Sequence, residues 1–128
     1  MVIRSDLSDV RHAQREVLRE VARRGYGESA CFAIRLAVEE ALNNAVKHGN
    51  GLDPNKCVTV CYDVDDTAAE VTVADQGAGF DPEDIPDPTA DENLEKPCGR
   101  GIMLMRAYMD EVHFNEAGNQ VRMVKVKE

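Results

Sequence analysis

The sequence predicts an α+β fold, a two-layer α/β sandwich in which helices pack against a mixed, mostly antiparallel sheet. In the first fifty residues apolar side chains recur at helical spacing, whereas residues 56–75 are rich in β-branched residues. A long loop, one more helix and a closing hairpin follow. The predicted order is therefore α, α, β, β, loop, α, β, β, which suits two packed layers and disfavours the βαβ alternation of a Rossmann fold.

Two helices are predicted before the first strand. The first covers residues 5–27, with Ser5 or Ser8 as its cap and Gly25 and Gly27 at its end. The second covers residues 28–51 and ends at Gly49 and Gly51. The apolar stripes expected to face the core are Val10, Val17, Leu18 and Val21 in the first helix, and Ile34, Val38, Ala41, Leu42 and Ala45 in the second.

The remaining elements are two hairpins and a helix. Residues 56–64 and 68–75 form the first hairpin around "DDT", and residues 111–128 form the second around "EAGN". Between them, residues 81–98 read as a loop rich in proline and acidic residues, and "GRGIMLMRAYMDEV" reads as a helix opened by glycines. A loop of this length in a small domain is either functional or disordered.

Composition indicates a single domain over residues 1–128 and excludes several classes of protein. The chain is 43% hydrophobic, which is typical of a folded chain of this length. It has no apolar run near the roughly 20 residues of a membrane span and no signal peptide at its start, so we expect a cytoplasmic protein without membrane contact. A formal net charge of −9 argues against direct binding of nucleic acid.

The four cysteines do not have the spacing of a zinc site, and we expect free thiols. Cys57 and Cys61 lie four residues apart on a predicted strand and therefore on one face. Their expected role is packing as small apolar side chains.

The segment "EEALNN" in the second helix contains the first candidate site. Glu40 and Asn44 are four residues apart, so they are stacked neighbours at the border of the apolar stripe. One interpretation is a solvated helix flank. The other is a ligand site, because an amide oxygen suits Mg²⁺ and a carboxylate one turn away can act as a general base. Lys47 lies near the Glu40 side and could reach a phosphate, while His48 is expected to pack at the core edge.

Two glycine clusters offer a second candidate site. In "DQGAGF", Asp75 can accept a hydrogen bond from an exocyclic amine such as that of adenine, and Gly77 and Gly79 allow the backbone to bend against a purine. In "GRG", Gly99 and Gly101 allow close approach to the N-terminal end of a helix, where free N–H groups attract phosphate. Taken singly, these segments also suit a hairpin turn and a hinge.

Together, "EEALNNAVKHGN", "VADQGAGFD" and "GRGIMLMRAYMDEV" resemble the N, G1 and G2 boxes of the GHKL ATP-binding superfamily, which includes the gyrase and histidine-kinase ATPase domains. The short chain and the ending "LMRAYMDEV" resemble the bacterial anti-sigma factor serine/threonine kinases. The resemblance implies a Bergerat-type fold, use of ATP and Mg²⁺, and frequent dimerisation. It also implies two partners, an anti-anti-sigma protein of the STAS type that is phosphorylated and a sigma factor that is sequestered.

The resemblance also implies roles for individual residues. Asn44 would ligate Mg²⁺, Glu40 would be the general base for a seryl hydroxyl, and Asp75 would bind the adenine amine. Residues 81–98 would form the ATP lid. The other implied nucleotide contacts, together with Lys47, are Gly77, Gly79, Phe80, Gly99, Arg100, Gly101 and Ile102.

The sequence departs from the family pattern at two places. Where relatives often carry an arginine shortly before the G2 glycines, Lys96 or Arg100 would have to substitute. Where the last strand often begins with Gly-Thr, this chain has Asn119 and Gln120. A second hypothesis therefore stands beside the kinase: a nucleotide-binding regulatory module that sequesters a partner without phosphoryl transfer.

Overall fold

A computed structural model describes residues 1–77 and 97–127, with residues 97–100 described as backbone. The helices are α1 (Leu7–Arg23), α2 (Glu28–Asn43) and α3 (Pro97–Tyr108), and a π-helical segment (Asn44–Gly49) continues α2. The strands are β1 (Val2–Arg4), β2 (Cys57–Val64), β3 (Ala68–Ala74), β4 (Glu111–Phe114) and β5 (Gln120–Val126). In the described part of the chain, no helix is both long enough and apolar enough to cross a membrane.

The described strands form one sheet in the order β1-β2-β3-β5-β4, and each of its pairings is antiparallel. The predicted α+β architecture and both hairpins are confirmed. Strand β1 was not predicted; its three residues, Val2–Arg4, pair with Cys57–Thr59 at the sheet edge. Three residues are too few to show the alternation that identifies a strand.

One apolar cluster joins the helices to one face of the sheet. The predicted stripes of α1 and α2 are buried, except that Leu18 is partly buried at the edge of the cluster. In β3 the burial alternates, with Ala69, Val71 and Val73 facing the core. The opposite face of the sheet is open, and Arg122 and Glu70 form an ion pair across it at 2.7 Å.

Three local expectations were wrong. The cap of α1 is Asp6, whose carboxylate accepts from the Ser8 N–H at 2.7 Å, while the hydroxyl of Ser5 is buried and donates to the Lys56 carbonyl. Cys57 is half-buried and Cys61 exposed, because the alternation that turns Val58 and Val60 inward turns both thiols to the open face. Finally, α3 begins at Pro97, two residues before the glycines that were expected to open it.

The α2 helix changes its hydrogen bonding where the candidate site begins. Regular α-helix ends at Asn43, and the next turns are wider, so that the Asn50 N–H donates to the Ala45 carbonyl at 2.8 Å. Widened turns of this kind are frequent at functional sites. Here the widening carries the chain to Gly49 and Asn50, which meet the end of β3.

Asn50 ties this helix end to three other segments. It is 2% exposed, and its Nδ2 donates to the Ser5 hydroxyl at 3.0 Å and to the Cys57 carbonyl at 2.9 Å. Its Oδ1 accepts from the Gln76 N–H at 2.8 Å. One side chain therefore fixes the α1 entry, the start of β2 and the turn after β3 relative to the π-helical segment.

Replacing Asn50 tests whether these bonds stabilise the fold. Asn50→Ala leaves the part-buried Gln76 N–H and the part-buried Cys57 carbonyl without their partner, so we expect the free energy of unfolding to fall by about 1–3 kcal/mol in urea denaturation. Asn55→Ala, on an exposed turn, is the control and should change stability by less than about 0.5 kcal/mol. Equal stability of the two variants would contradict the assigned role of Asn50.

Candidate functional site

Glu40 and Asn44 meet the first turns of α3 at Gly101. Both side chains are half-buried, and a β-carbon built on Gly101 would lie 2.9 Å from Glu40 Oε2 and 2.9 Å from Asn44 Nδ2. Real β-carbons essentially never approach other atoms that closely, so a residue with a β-carbon at position 101 would displace the end of at least one of these two side chains. The structure thus brings together three residues that the sequence had marked in two separate motifs.

A cavity of about 140 Å³ opens beside this pair. A cavity of about 150 Å³ can hold a benzene molecule, so the enclosed space is about that of one six-membered aromatic ring. Asn44 lies at the helix side of the cavity, and Asp75 lies at the end of β3. The other lining residues are Ala41, Ala45, His48, Gly49, Val73, Met105, Phe114, Gly118, Asn119, Gln120 and Val121.

The turn that follows β3 holds the carboxylate of Asp75 in place. The Gly77 N–H donates to Asp75 Oδ1 at 2.7 Å, and the Asp75 N–H donates to the Asn119 carbonyl at 2.9 Å. Gly49 lies directly against the carboxylate, since a β-carbon at residue 49 would overlap it. A β-carbon at Gly77 would in turn overlap the Gly49 carbonyl. Helix end and turn are therefore in backbone contact.

The carboxylate of Asp75 is partly desolvated, which disfavours its charged form. Burial raises its pKa, and this effect is only partly offset by the hydrogen bond from Gly77 and the positive charge of Lys56. A carboxylate desolvated at a cavity wall is typical of ligand-binding sites, because a ligand donor can later satisfy it.

The remaining predicted residues are distributed as follows. Lys47 lies on the exposed side of the π-helical segment. The side chain of Ile102 is 2% exposed within the core, so only its backbone can reach a ligand. Gly99 and Arg100 lie in the first turn of α3 as backbone. Gly79, Phe80 and residues 81–96 of the predicted lid lie outside the described residues.

Several cavity residues were missed or misread in the sequence. His48 was expected at the core edge but is exposed and lines the cavity. Phe114 and Asn119 come from the second hairpin, where the sequence contains no motif that marks a binding site. The sole indication was that residues 119 and 120 differ from the Gly-Thr pair of the resembled family. Within residues 1–77 and 97–127, no cluster of three or more His, Cys, Asp or Glu side chains could hold a metal ion. An ion bound here would need oxygen donors from Asn44 and from its ligand.

The chain is similar in sequence to known proteins. A model of the family described as the histidine kinase-like ATPase domain matches residues 3–125. The chain is 37% identical over 111 residues to the serine-protein kinase RsbW of Bacillus licheniformis. It is 35% identical over 97 residues to the anti-sigma F factor of Geobacillus stearothermophilus. These alignments cover 79% and 73% of this chain, and 68% and 66% of the relatives, so the chain spans about two thirds of their length.

A solved structure supports the fold. The crystal structure of the RsbU and RsbW domains of Rv1364c from Mycobacterium tuberculosis matches 100% of this chain and 32% of that chain, with a TM-score of 0.61. At 15% sequence identity, this likeness concerns the fold alone.

The raised pKa of Asp75 predicts how stability depends on pH. Because the folded pKa lies above the unfolded one, the ionised carboxylate costs stability, and this cost disappears as the pH falls through the folded pKa toward the unfolded value. Asp75→Asn keeps an acceptor for the Gly77 N–H and removes the charge. We therefore expect the unliganded variant to have a higher Tm than the wild type at pH 7, with the difference shrinking toward pH 4.

The control is Asp66→Asn, the same substitution in the exposed β2–β3 turn. Its Tm difference from the wild type should vary less across this pH range. An Asp75→Asn variant that is less stable than the wild type at pH 7 would contradict the assigned desolvation of the carboxylate.

Proposed function

The chain belongs to the histidine kinase-like ATPase domain family, and on that premise we propose that it is a Mg-ATP-dependent protein serine/threonine kinase that also acts as an anti-sigma factor. One observation carries the proposal: Asn44 and Asp75 line the same cavity, and Glu40 lies one turn from Asn44 against Gly101. The proposal assigns the base to Asp75, the metal to Asn44 and the general base to Glu40.

Asp75 binds the purine in this proposal. Its carboxylate accepts a hydrogen bond from the exocyclic amine of adenine and so regains the interaction lost on burial. The cavity beside it has room for one six-membered ring of the base, and Val73 and Met105 supply apolar walls. A base without an exocyclic donor leaves the carboxylate unsatisfied, which is the basis of selectivity.

The phosphates lie toward α3. The first N–H groups of a helix have no partner within it, and the positive end of the helix dipole favours anions. Gly99 and Gly101 let this backbone approach the phosphates. Relatives of the resembled family often carry an arginine shortly before these glycines, and Lys96 or Arg100 would have to supply that positive charge here. Lys47, exposed on the π-helical segment, can neutralise phosphate charge from the other side.

Asn44 fits a Mg²⁺ site. Its side-chain oxygen is a hard donor, and Mg²⁺ is commonly held by one or two protein oxygens together with water and substrate phosphates. When bound, the ion would neutralise charge on the phosphates during transfer. Asn44 would hold the ion close to Glu40, because both side chains lie against Gly101.

Glu40 is the general base. It takes the proton of a seryl or threonyl hydroxyl of the substrate protein, the oxygen forms a bond to the γ-phosphorus, and the bond to the leaving ADP oxygen breaks. The products are a phosphorylated protein and ADP, with the proton on the carboxyl group of Glu40.

The partners follow from the relatives, which are named serine-protein kinase and anti-sigma F factor. We propose that the chain phosphorylates an anti-anti-sigma protein of the STAS type and sequesters a sigma factor in the cytoplasm, acting as a homodimer. The net charge of −9 supports protein partners rather than nucleic acid or an anionic membrane surface.

The second candidate is a regulatory module that binds nucleotide and a partner but transfers no phosphate. It is favoured by the cavity rim, where Asn119 and Gln120 stand in place of the Gly-Thr pair of the resembled family. The two candidates differ only in the last step, so one assay separates them.

Glu40→Gln tests the kinase directly. The amide keeps the shape of the side chain and removes its basicity, so we expect ATP affinity within about threefold of the wild type and phosphoryl transfer lower by about 10²–10⁴-fold. The assay follows label from γ-³²P-ATP to a STAS-type anti-anti-sigma protein in the presence of Mg²⁺. Glu39→Gln, the adjacent exposed carboxylate, is the matched control and should transfer normally.

Transfer by Glu40→Gln at the rate of Glu39→Gln would remove Glu40 from the mechanism. A wild-type protein that binds ATP but never labels the substrate would favour the module without transfer.

A further inference from the structure

The turn between β4 and β5 is organised by two asparagine side chains. Asn115 Oδ1 accepts from the N–H groups of Gly118 at 2.8 Å, Asn119 at 3.1 Å and Gln120 at 3.3 Å. Gly118 has a φ of 76°, a conformation that favours glycine, and its N–H also donates to the Asn115 carbonyl. The oxygen of the Asn115 side chain therefore accepts hydrogen bonds within the turn, and its Nδ2 is the group that can donate to another side chain.

This Nδ2 fixes the orientation of a second amide. It donates to Asn119 Oδ1 at 2.8 Å, which leaves Asn119 Nδ2 facing away from Asn115. Asn119 Nδ2 in turn donates to the Gly77 carbonyl at 3.3 Å, across 42 residues of sequence. Since each amide has one donor and one acceptor end, the two bonds together select one orientation of Asn119.

Both ends of the Asp75 turn are therefore held by residue 119. Its main-chain carbonyl accepts from the Asp75 N–H at 2.9 Å, and its side chain holds the Gly77 carbonyl. Between these two points, the Gly77 N–H donates to Asp75 Oδ1. Asn119 is half-buried and lines the cavity together with Asp75.

We infer that Asn119, oriented by Asn115, is a positioning residue that holds the Asp75 carboxylate in the direction needed to recognise a base with an exocyclic amine. The inference rests on the proposed binding of ATP and adds to it the source of base selectivity. Asn119 does this without needing contact with the base, because it fixes the two peptide groups that flank the carboxylate.

Two variants isolate the amide chain. Asn119→Ala removes the bond to Gly77 and keeps the main-chain carbonyl. Asn115→Asp keeps the acceptor that organises the turn and removes the donor that orients Asn119, so that the Asn119 amide turns its Nδ2 toward the new carboxylate and away from Gly77. Glu116→Ala, an exposed residue of the same turn, is the control.

The first measurement needs no nucleotide. Amide hydrogen exchange of the unliganded protein, followed by NMR, reports how firmly the Gly77 N–H is held on Asp75. We expect exchange at Gly77 to accelerate at least about tenfold in Asn119→Ala and in Asn115→Asp, and to stay near the wild-type rate in Glu116→Ala. Unchanged exchange in both variants would overturn the positioning role, whether or not the protein binds ATP.

The second measurement is selectivity. Calorimetry compares ATP with purine riboside triphosphate, which lacks the exocyclic amine. The wild type should prefer ATP by about ten- to a hundredfold, the worth of a hydrogen bond to a charged group. Asn119→Ala and Asn115→Asp should reduce this ratio to about threefold, with less change in the affinity for the analogue, whereas Glu116→Ala should keep the full ratio.

Equal loss of affinity for both nucleotides, with the ratio preserved, would assign Asn119 a merely structural role and overturn the inference. A wild type that binds neither nucleotide would instead refute the proposed function, and the exchange measurement would still decide whether Asn119 positions the turn.

Discussion

The backbone contact between Gly49 and the turn at Asp75–Gly77 is the constraint on which the site depends. A β-carbon on either glycine would overlap the other segment, so both positions require the absence of a side chain. The contact brings the end of the long helix onto the end of a central strand, and the cavity lies where these two ends meet. The π-helical turns before Gly49 and the buried amide of Asn50 serve the same contact, because they set where the helix chain arrives.

Burial of the Asp75 carboxylate lowers the stability of the unliganded protein. The contact buries the carboxylate of Asp75 without a cation in direct contact among the described residues, and burial raises its pKa. A fold selected for stability alone would place a neutral or apolar side chain there. In the proposed function, a ligand donor that enters the cavity offsets this cost, and the inferred role of the Asn115–Asn119 pair is to hold the Asp75 carboxylate in position before the ligand binds. Gly101 lies against the ends of the Glu40 and Asn44 side chains, and a β-carbon at residue 101 would displace at least one of them.

Local patterns in the sequence predicted the helical stripes, both hairpins and the Glu40–Asn44 pair, because helical and strand periodicities are properties of short segments. They also marked Asp75 and Gly101 as candidates, and the family resemblance assigned both to one nucleotide site. The packing of α2, α3 and β3 that positions these residues cannot be read from local patterns. The widened turns after Asn43 depend on the contact with the turn after β3, which no helical period records. The link from Asn119 to Gly77 spans 42 residues and has no motif, so it required the structure.

The central claim is that the cavity between Asn44 and Asp75 binds the base of a nucleotide whose phosphates reach the start of α3. A crystal structure of the chain with Mg²⁺ and a non-hydrolysable ATP analogue tests this most directly. The account predicts the adenine ring in the cavity, with its exocyclic nitrogen within about 3.2 Å of an Asp75 carboxylate oxygen and the metal bound to Asn44 Oδ1. An analogue bound with its base outside this cavity, or a metal bound away from Asn44, would contradict it.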